Sequence, residues 1–543
     1  MRLTSALLFV LSACILSVVG YVLLVASPRY SIYVLVGDDA GYYFAVARNF
    51  CLGHGLTFDR LHETNGFNPL LTALLIGTYK SFVPGLSLLG CYRAGILLTL
   101  LANLASLTLM LRLVGGFMDP QVFAGSVRRL VFASTATFFI GFITLKSNYG
   151  MDAPLVLLVG LTYLLRVRRR GLVAPGVGAA LIDGALLGLL FLARVDSLPL
   201  LVTAFALMIV LALRDRTVWG GIVGRSLVTM ALVMPYLMWS ERHFGTWLPV
   251  SARLKSRFPD IDVPASMHVM LHSSLNPADL GSFVLAFAVA LGTAAWFLRG
   301  LRQRRPADTL ADPQLAAIAL VTFFLLMRFS YMAMFSRLDV QGSYAILAHP
   351  YNVVMAMVLT SAWARRNPNA NALGRRRIAQ LACGLLLLVS AMLVTGKCRV
   401  LLHHWGAIEA GGRGDELALA RAIHEKTRPG DVIYGGAFGL VGFFADRAWI
   451  NGDGVANNYA YQDVLENDGL EGYLAENRVT HAVYLLTPGM VSADGRVPLL
   501  MRSELNGRVN HYSVADTATV LVWRSNRNRG ATVCLARYSG DKR

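Results

Sequence analysis

Apolar runs of about the length that crosses a bilayer recur along the first three quarters of this sequence, and no other feature constrains its fold as strongly. They lie near residues 5–26, 86–114, 130–145, 152–165, 175–193, 197–213, 219–239, 277–298, 313–334, 349–364 and 376–395. A hydrophobic fraction of 55% over 543 residues, with a mean hydropathy of +0.53, exceeds what a globular core can hide beneath a polar coat. The expectation is a mainly α, polytopic membrane protein of about eleven transmembrane helices.

The charges between the runs supply an independent test, because short cytoplasmic loops keep Lys and Arg. Every second loop is basic: Arg128/Arg129, Arg166 with Arg168–Arg170, Arg214/Arg216, Arg299 with Arg302, Arg304 and Arg305, and Arg365/Arg366 with Arg375–Arg377. This pattern predicts a cytoplasmic N-terminus and places 27–85, 241–276, 335–348 and the C-terminal tail outside a bacterial cytoplasmic (inner) membrane. The net charge of +18 is then mostly topology, which argues against nucleic acid as a partner. Leu11-Ser12-Ala13-Cys14 resembles a lipoprotein cleavage box, but apolar residues continue through Leu24, as in an uncleaved first span. The six cysteines show no metal-ligand spacing.

The chain divides into a transmembrane domain, 1–396, and a C-terminal domain, 397–543, long enough to fold alone and expected to be external, or periplasmic. The tail reads as α/β: a helix over Glu416–Lys426, a strand over Asp431–Tyr434, a helical stretch over 458–477, and strands at 481–486 and Val514–Trp523. The first external loop, 27–85, is too long for a simple connector. Within it, Asp38–Arg48 has the spacing of an interfacial helix, and Pro69–Phe82 forms a second one. Counting Pro69–Phe82 as a span would invert the loop charges.

Candidate chemistry gathers on that same outer side. Asp38 and Asp39 are adjacent carboxylates near the membrane boundary, suited either to general-base work on a sugar hydroxyl or to capping a helix. Tyr42, Asn65, Asn68, Asp152 and Asp196 are candidates for sugar or acceptor contacts, with Asp152 and Asp196 equally suited to structural ion pairs. Arg194, Arg253, Lys255 and Arg337 run against the rule that external loops are poor in cations. They would suit the phosphate of a lipid-linked donor, anionic headgroups, or pairing with Asp152 and Asp196. The sequence contains no P-loop, dinucleotide fingerprint, HExxH or Gly-x-Ser-x-Gly motif. No cofactor is required, while carboxylates near a phosphate leave room for a divalent metal.

The run Gly37-Asp38-Asp39-Ala40-Gly41-Tyr42-Tyr43 after a first span, followed by Thr64-Asn65-Gly66-Phe67-Asn68-Pro69, resembles the GT-C superfamily of membrane glycosyltransferases. Tyr149-Gly150-Met151-Asp152, Arg194-Val195-Asp196 and Phe244-Gly245 through Pro249-Val250-Ser251 to Lys255 extend the resemblance. Trp449-Ile450-Asn451-Gly452-Asp453-Gly454-Val455 is similar to a soluble-domain segment in relatives of the arabinofuranosyltransferases that build actinobacterial cell walls. The resemblance implies a sugar donor on a polyprenyl phosphate, a cell-envelope glycan or lipid acceptor, and inversion at the anomeric carbon. Its catalytic base would be an Asp of the first external loop: Asp38 or Asp39, with Asp38 favoured because it holds the leading acidic position. Asn68 stands where a His is expected.

A phosphate ester already leaves readily, so one base and several cations suffice, unlike the two-carboxylate plan of most glycoside hydrolases. The rival reading is a transporter or flippase of an anionic lipid-linked sugar. Such proteins carry repeats and mid-membrane charges, whereas the ionisable residues here collect at one boundary.

Overall fold

The computed structural model describes residues 36–118, 123, 125–139, 149–213, 215–271, 277–303, 310–337, 348–366, single positions between 380 and 399, 416–436, 438–467, 469–486, and strands 497–502, 509–512, 519–524 and 532–537. The expected span 5–26 lies outside these residues, and 376–395 almost entirely so.

Two helices form the first loop, α1 (Ala40–Cys51) and α2 (Pro69–Phe82). The bundle follows as α3 (Leu88–Phe117), α4 (Gly125–Phe139), α5 (Ala153–Arg170), α6 (Val177–Ala193), α7 (Leu198–Ala212) and α8 (Trp219–Phe244). After two short helices, α9 (Val250–Lys255) and α10 (Val263–Leu271), come α11 (Pro277–Gln303), α12 (Pro313–Phe335) and α13 (Ala348–Arg366). Each described span thus falls on a helix. Leu88–Phe117, Val195–Ala212, Arg216–Phe244 and Pro313–Phe335 are long and apolar enough to cross a membrane. Val177–Ala193, Val284–Arg299 and Tyr351–Thr360 are shorter apolar helices. With 14 residues, α2 extends only about 21 Å, short of a bilayer core.

Local chemistry sets the helix ends. Ser87 accepts from the Gly90 amide at the start of α3, and Asp312 accepts from the Gln314 and Leu315 amides ahead of Pro313 in α12. Gly245, at φ 65°, closes α8 in a left-handed conformation. Glycines on α6 let α8 approach closely: a Cβ at Gly184 would stand 2.6 Å from the Arg225 carbonyl oxygen. At the same crossing, buried Asp183 takes two hydrogen bonds from Arg225, at 3.1 and 2.7 Å, and one from Arg166 on α5. A buried ionic cluster of this kind fixes how helices register more than it adds stability.

Beyond residue 415 the order is α14 (Glu416–Lys426), β1 (Val432–Gly435), α15 (Gly439–Ala445), β2 (Ala448–Asn451), α16 (Tyr459–Glu466), α17 (Leu470–Glu476) and β3 (Val479–Leu486). Strands β4 (Val497–Arg502), β5 (Val509–Tyr512), β6 (Thr519–Arg524) and β7 (Thr532–Arg537) complete the described chain. Five strands form a sheet in the order β2-β1-β3-β7-β6, with β4 and β5 as a separate pair. The first three strands are parallel, and β7 and β6 add antiparallel. The expected single helix over 458–477 is two, α16 and α17. Asn467 follows α16, and Gly469 precedes α17 with its amide returned to the Val464 carbonyl.

This C-terminal layer is seamed to the first loop. Phe44 of α1 and Tyr92 of α3 pack edge-on or tilted against Phe443 and Phe444 of α15, with ring centroids 5.8 and 5.4 Å apart. A Cβ at Gly41 would collide with the backbone of Gly439, and one at Gly439 with the Asp38 carbonyl oxygen. Thr64 Oγ1 donates to the Asn457 carbonyl at 2.5 Å, and Asp446 receives both Arg48, at 3.0 Å, and Arg60.

Candidate active site

The acidic pair heads α1 with the two side chains in different situations. Asp38 is committed across the seam: its Oδ2 accepts from the Gly439 amide at 2.9 Å and its Oδ1 from the Leu440 amide at 3.1 Å. Asp39 occupies the N-cap position of α1 but makes no capping hydrogen bond. The helix-cap role that suits Asp is therefore taken by Asp38, and on the first turn of α15 rather than of its own helix.

Directly below, Tyr43 and Asn68 carry the site toward the bundle. The Asn68 amide nitrogen donates to the Tyr43 hydroxyl and to Asp152 Oδ2, both at 2.8 Å. Arg194 Nε lies 3.3 Å from Asp152 Oδ2 and 3.1 Å from Asp196 Oδ1. Arg328 completes the chain of contacts, donating to Asp196 Oδ2 and to the Asp196 carbonyl, both at 2.8 Å. Lys255 is close enough for its charge to bear on Asp152 and Asp196. Among the described residues, Arg194, Arg328 and Lys255 thus gather around Asp152 and Asp196, a setting of charge-assisted donors that suits a phosphate.

Gly150 makes this arrangement possible. It holds φ 77° in the turn before α5, and a Cβ there would press into Phe44 and Ala40 of α1. Its amide donates to Thr99 Oγ1 at 3.0 Å, and the adjoining Tyr149 pairs as a bridge with Val36. The loop carrying Asp38 and Asp39 is thereby pinned beside the turn carrying Asp152.

The remaining candidates divide. Arg337 backs onto the cation group, donating its amide to the Lys255 carbonyl at 3.2 Å. Arg253 points elsewhere, lying over the Tyr459 ring at 5.6 Å and 3.7 Å from Asp463 of α16. Asn65 is fully buried, and its amide nitrogen donates to Ser240 Oγ at 2.9 Å and the Leu248 carbonyl at 3.1 Å while its oxygen accepts from the Val250 amide at 3.0 Å. The sugar contact expected at Asn65 gives way to a clamp on the turn after α8, because every part of its amide meets protein. Tyr42 is also buried: its hydroxyl donates to Asp453 Oδ2 at 3.2 Å and accepts from the Asn451 amide at 2.9 Å. Burial, with Asp453, Asp38 and Asp39 nearby, raises the Tyr42 phenol well above its usual pKa, so it acts as a neutral donor.

Two site members escape the sequence reading. Arg328 is hidden inside an apolar run, although an ionisable side chain within a span is itself a functional signal. Asp453 is legible as a polar residue of the tail, but its partnership with α1 spans 411 residues. It is partly buried, and desolvation with the neighbouring charge of Asp39 pushes its carboxyl up to about 6. Among the described residues no group of three or more His, Cys, Asp or Glu is placed to hold a metal ion.

No protein-family model and no curated protein sequence matches the chain. Solved structures do. ArnT from Cupriavidus metallidurans bound to undecaprenyl phosphate is 14% identical, with a TM-score of 0.50 over 98% of this chain and 99% of its own. The Archaeoglobus fulgidus oligosaccharyltransferase tethered to an acceptor peptide is 14% identical, with a TM-score of 0.51 over 88% of this chain and 68% of its own. The archaeal oligosaccharyltransferase AglB, in complex with an inhibitory peptide and a dolichol-phosphate, is 13% identical at a TM-score of 0.50. The chain shares the fold of these structures.

Proposed function

We propose that this multi-pass membrane protein is an inverting glycosyltransferase that moves a sugar from a polyprenyl-phosphate donor to a hydroxyl of a cell-envelope glycan or lipid. The reaction would take place at the outer face of a bacterial cytoplasmic membrane, with the C-terminal domain external. The observation that carries the reading is that Asn68 and Tyr43 join the head of α1, with its acidic pair, to the group of Arg194, Arg328 and Lys255 around Asp152 and Asp196. A single base and a phosphate cradle are the parts that transfer from a lipid phosphate needs.

In this mechanism Asp39 is the base, because the Asp38 oxygens already receive two backbone amides that stabilise its ionised form and weaken it as a proton acceptor. Asp39 takes the proton of the acceptor hydroxyl as that oxygen attacks the anomeric carbon from the face opposite phosphate. The bond from the anomeric carbon to the phosphate oxygen breaks, its electron pair leaves with the polyprenyl phosphate, and configuration inverts. Arg194, Lys255 and Arg328 stabilise the charge developing on the leaving phosphate, with Arg337 behind them. Asp152 and Asp196 orient those cations, and Asn68 with Tyr43 ties the cation group to the helix that carries the base.

The test is sugar transfer from a panel of radiolabelled polyprenyl-phosphate sugars by membranes containing wild type, Asp38→Asn or Asp39→Asn at matched expression. Loss of transfer in Asp39→Asn with donor binding retained supports the assignment. Wild type that binds the lipid but transfers sugar to no envelope acceptor would support transport of the lipid-linked sugar instead.

A further inference from the structure

The loop after β2 reaches out of the C-terminal layer and into the acidic end of the site. Asn451 and Asp453 hold the Tyr42 hydroxyl from both sides, at 2.9 and 3.2 Å. The loop is itself stiff: Asp453 Oδ1 accepts from the Val455 amide at 3.0 Å, Asn451 Oδ1 accepts from the Ala456 amide at 3.2 Å, and Gln462 of α16 donates to the Gly454 carbonyl at 3.2 Å. Gly454 turns at φ 79° against that Gln462 side chain, and Gly66 of the first loop meets the Val455 carbonyl with no room for a Cβ. Asp453 therefore has a fixed place, defined from both sides of the seam.

The charge of Asp39, at the head of α1, bears on Asp453, and those of Asp38, Asp39 and Asp453 all bear on Tyr42, while Tyr461 of α16 lies within reach of Asp453. Among the described residues no cation pairs with the Asp453 carboxylate, in contrast to Asp446, which draws Arg48 and Arg60 a few residues earlier on the same seam. A carboxylate retained among like charges is a poor choice for gluing two domains together. An asparagine would fill the same volume at lower electrostatic cost, but it would give up one of the two acceptor oxygens that meet the Val455 amide and the Tyr42 hydroxyl.

We propose that Asp453 is a positioning residue of the transfer reaction, supplied by the C-terminal domain, which through Tyr42 fixes the turn of α1 carrying Asp39 and sets the charge facing it. The inference rests on the glycosyltransferase reading and extends it: the C-terminal layer forms one wall of the reaction chamber. Below about pH 6 Asp453 takes up a proton, and the chamber loses one negative charge while Tyr42 keeps its partner.

The experiment measures transfer by the full-length protein in membranes, with a fixed polyprenyl-phosphate sugar, for wild type, Asp453→Asn, Asp453→Glu and Asp39→Asn. Asp453→Asn should lose at least about tenfold in kcat with the donor KM within twofold. Its pH–rate profile should lack the step near pH 6 that wild type shows, and Asp453→Glu should recover much of the rate and the step. Protease protection of the tail reports on the seam. Wild-type kcat and profile in Asp453→Asn, with Asp39→Asn inactive, overturns this inference and leaves the proposed function standing. An unchanged profile with equal loss of rate and protection in both Asp453 variants overturns it in favour of a structural role. If wild type transfers sugar from no such donor, the functional reading fails and this inference falls with it.

Discussion

Asp38 and Gly439, 401 residues apart in the chain, are joined by a 2.9 Å hydrogen bond in which the Gly439 amide donates to the Asp38 carboxylate. The contact needs a glycine, since a Cβ at 439 would meet the Asp38 carbonyl oxygen and the Tyr42 ring. Gly439→Ala is expected to loosen the seam by about 1–3 kcal/mol through overpacking. Faster proteolysis of the tail in membranes, with transfer activity falling in parallel, is the outcome to look for.

Replacing Asp39 by Asn keeps its size and removes its basicity. Transfer should fall by about 10²- to 10⁴-fold with donor affinity nearly unchanged, the range for removing a general base. Asp38→Asn should instead lower thermal stability, because its nitrogen would face an amide donor of α15. Equal effects of the two substitutions on stability and rate would contradict this division of labour.

Arg194 bridges Asp152 and Asp196, so Arg194→Ala leaves both carboxylates short of a counter-charge. Donor KM should rise by at least about tenfold, the scale of one charge-assisted contact. Arg194→Lys should recover only part of this, since a lysine ammonium sits one atom further out than the Nε that lies between the two carboxylates. Steady-state kinetics over a donor titration distinguishes the three proteins.

Asn65 predicts the opposite signature. Asn65→Ala leaves the buried Val250 amide and Ser240 hydroxyl each without one partner, at a cost of about 1–3 kcal/mol per unsatisfied group. The melting temperature should drop while the donor KM of the folded fraction stays near wild type.

Burial, with the charge of Asp39 nearby, pushes the Asp453 carboxyl up to about 6, above the ordinary carboxylate range. A raised carboxylate means that the folded state holds its proton more tightly. Its contribution to stability is greatest below about pH 4 and is lost as pH rises through 6. At neutral pH the ionised group then costs up to roughly 3 kcal/mol. The melting-point difference between Asp453→Asn and wild type should move in the variant's favour as pH rises from about 4 to 7. A difference that is constant with pH, or that moves the other way, would refute the sign.

The membrane architecture is legible because hydropathy and loop charge are local properties, so Leu88–Phe117 or Pro313–Phe335 can be read without knowing what they touch. The polar residues of the site are legible for the same reason: Arg194 and Lys255 break a charge rule visible along the chain. Partnership is not local. Asp38 and Asp39 are equivalent until α15 presents two amides to one of them, and Tyr42 resembles a sugar platform until Asn451 and Asp453 enclose its hydroxyl. Asn68, where a His was expected, reaches Tyr43 and Asp152 together, which its position next to Pro69 alone does not reveal. Arg328 was lost in an apolar run because only the fold places Asp196 beside it.

The seam between the first loop and α15 also sets an order in time. Asp38 leaves the ribosome some 401 residues before the amide that receives it, a delay of roughly 20–80 s at 5–20 residues per second. Throughout that interval the chain holds its carboxylates and cations without the wall that brings them to one geometry. A partly synthesised or truncated copy therefore lacks the assembled site, which arrives only with the last quarter of the polypeptide.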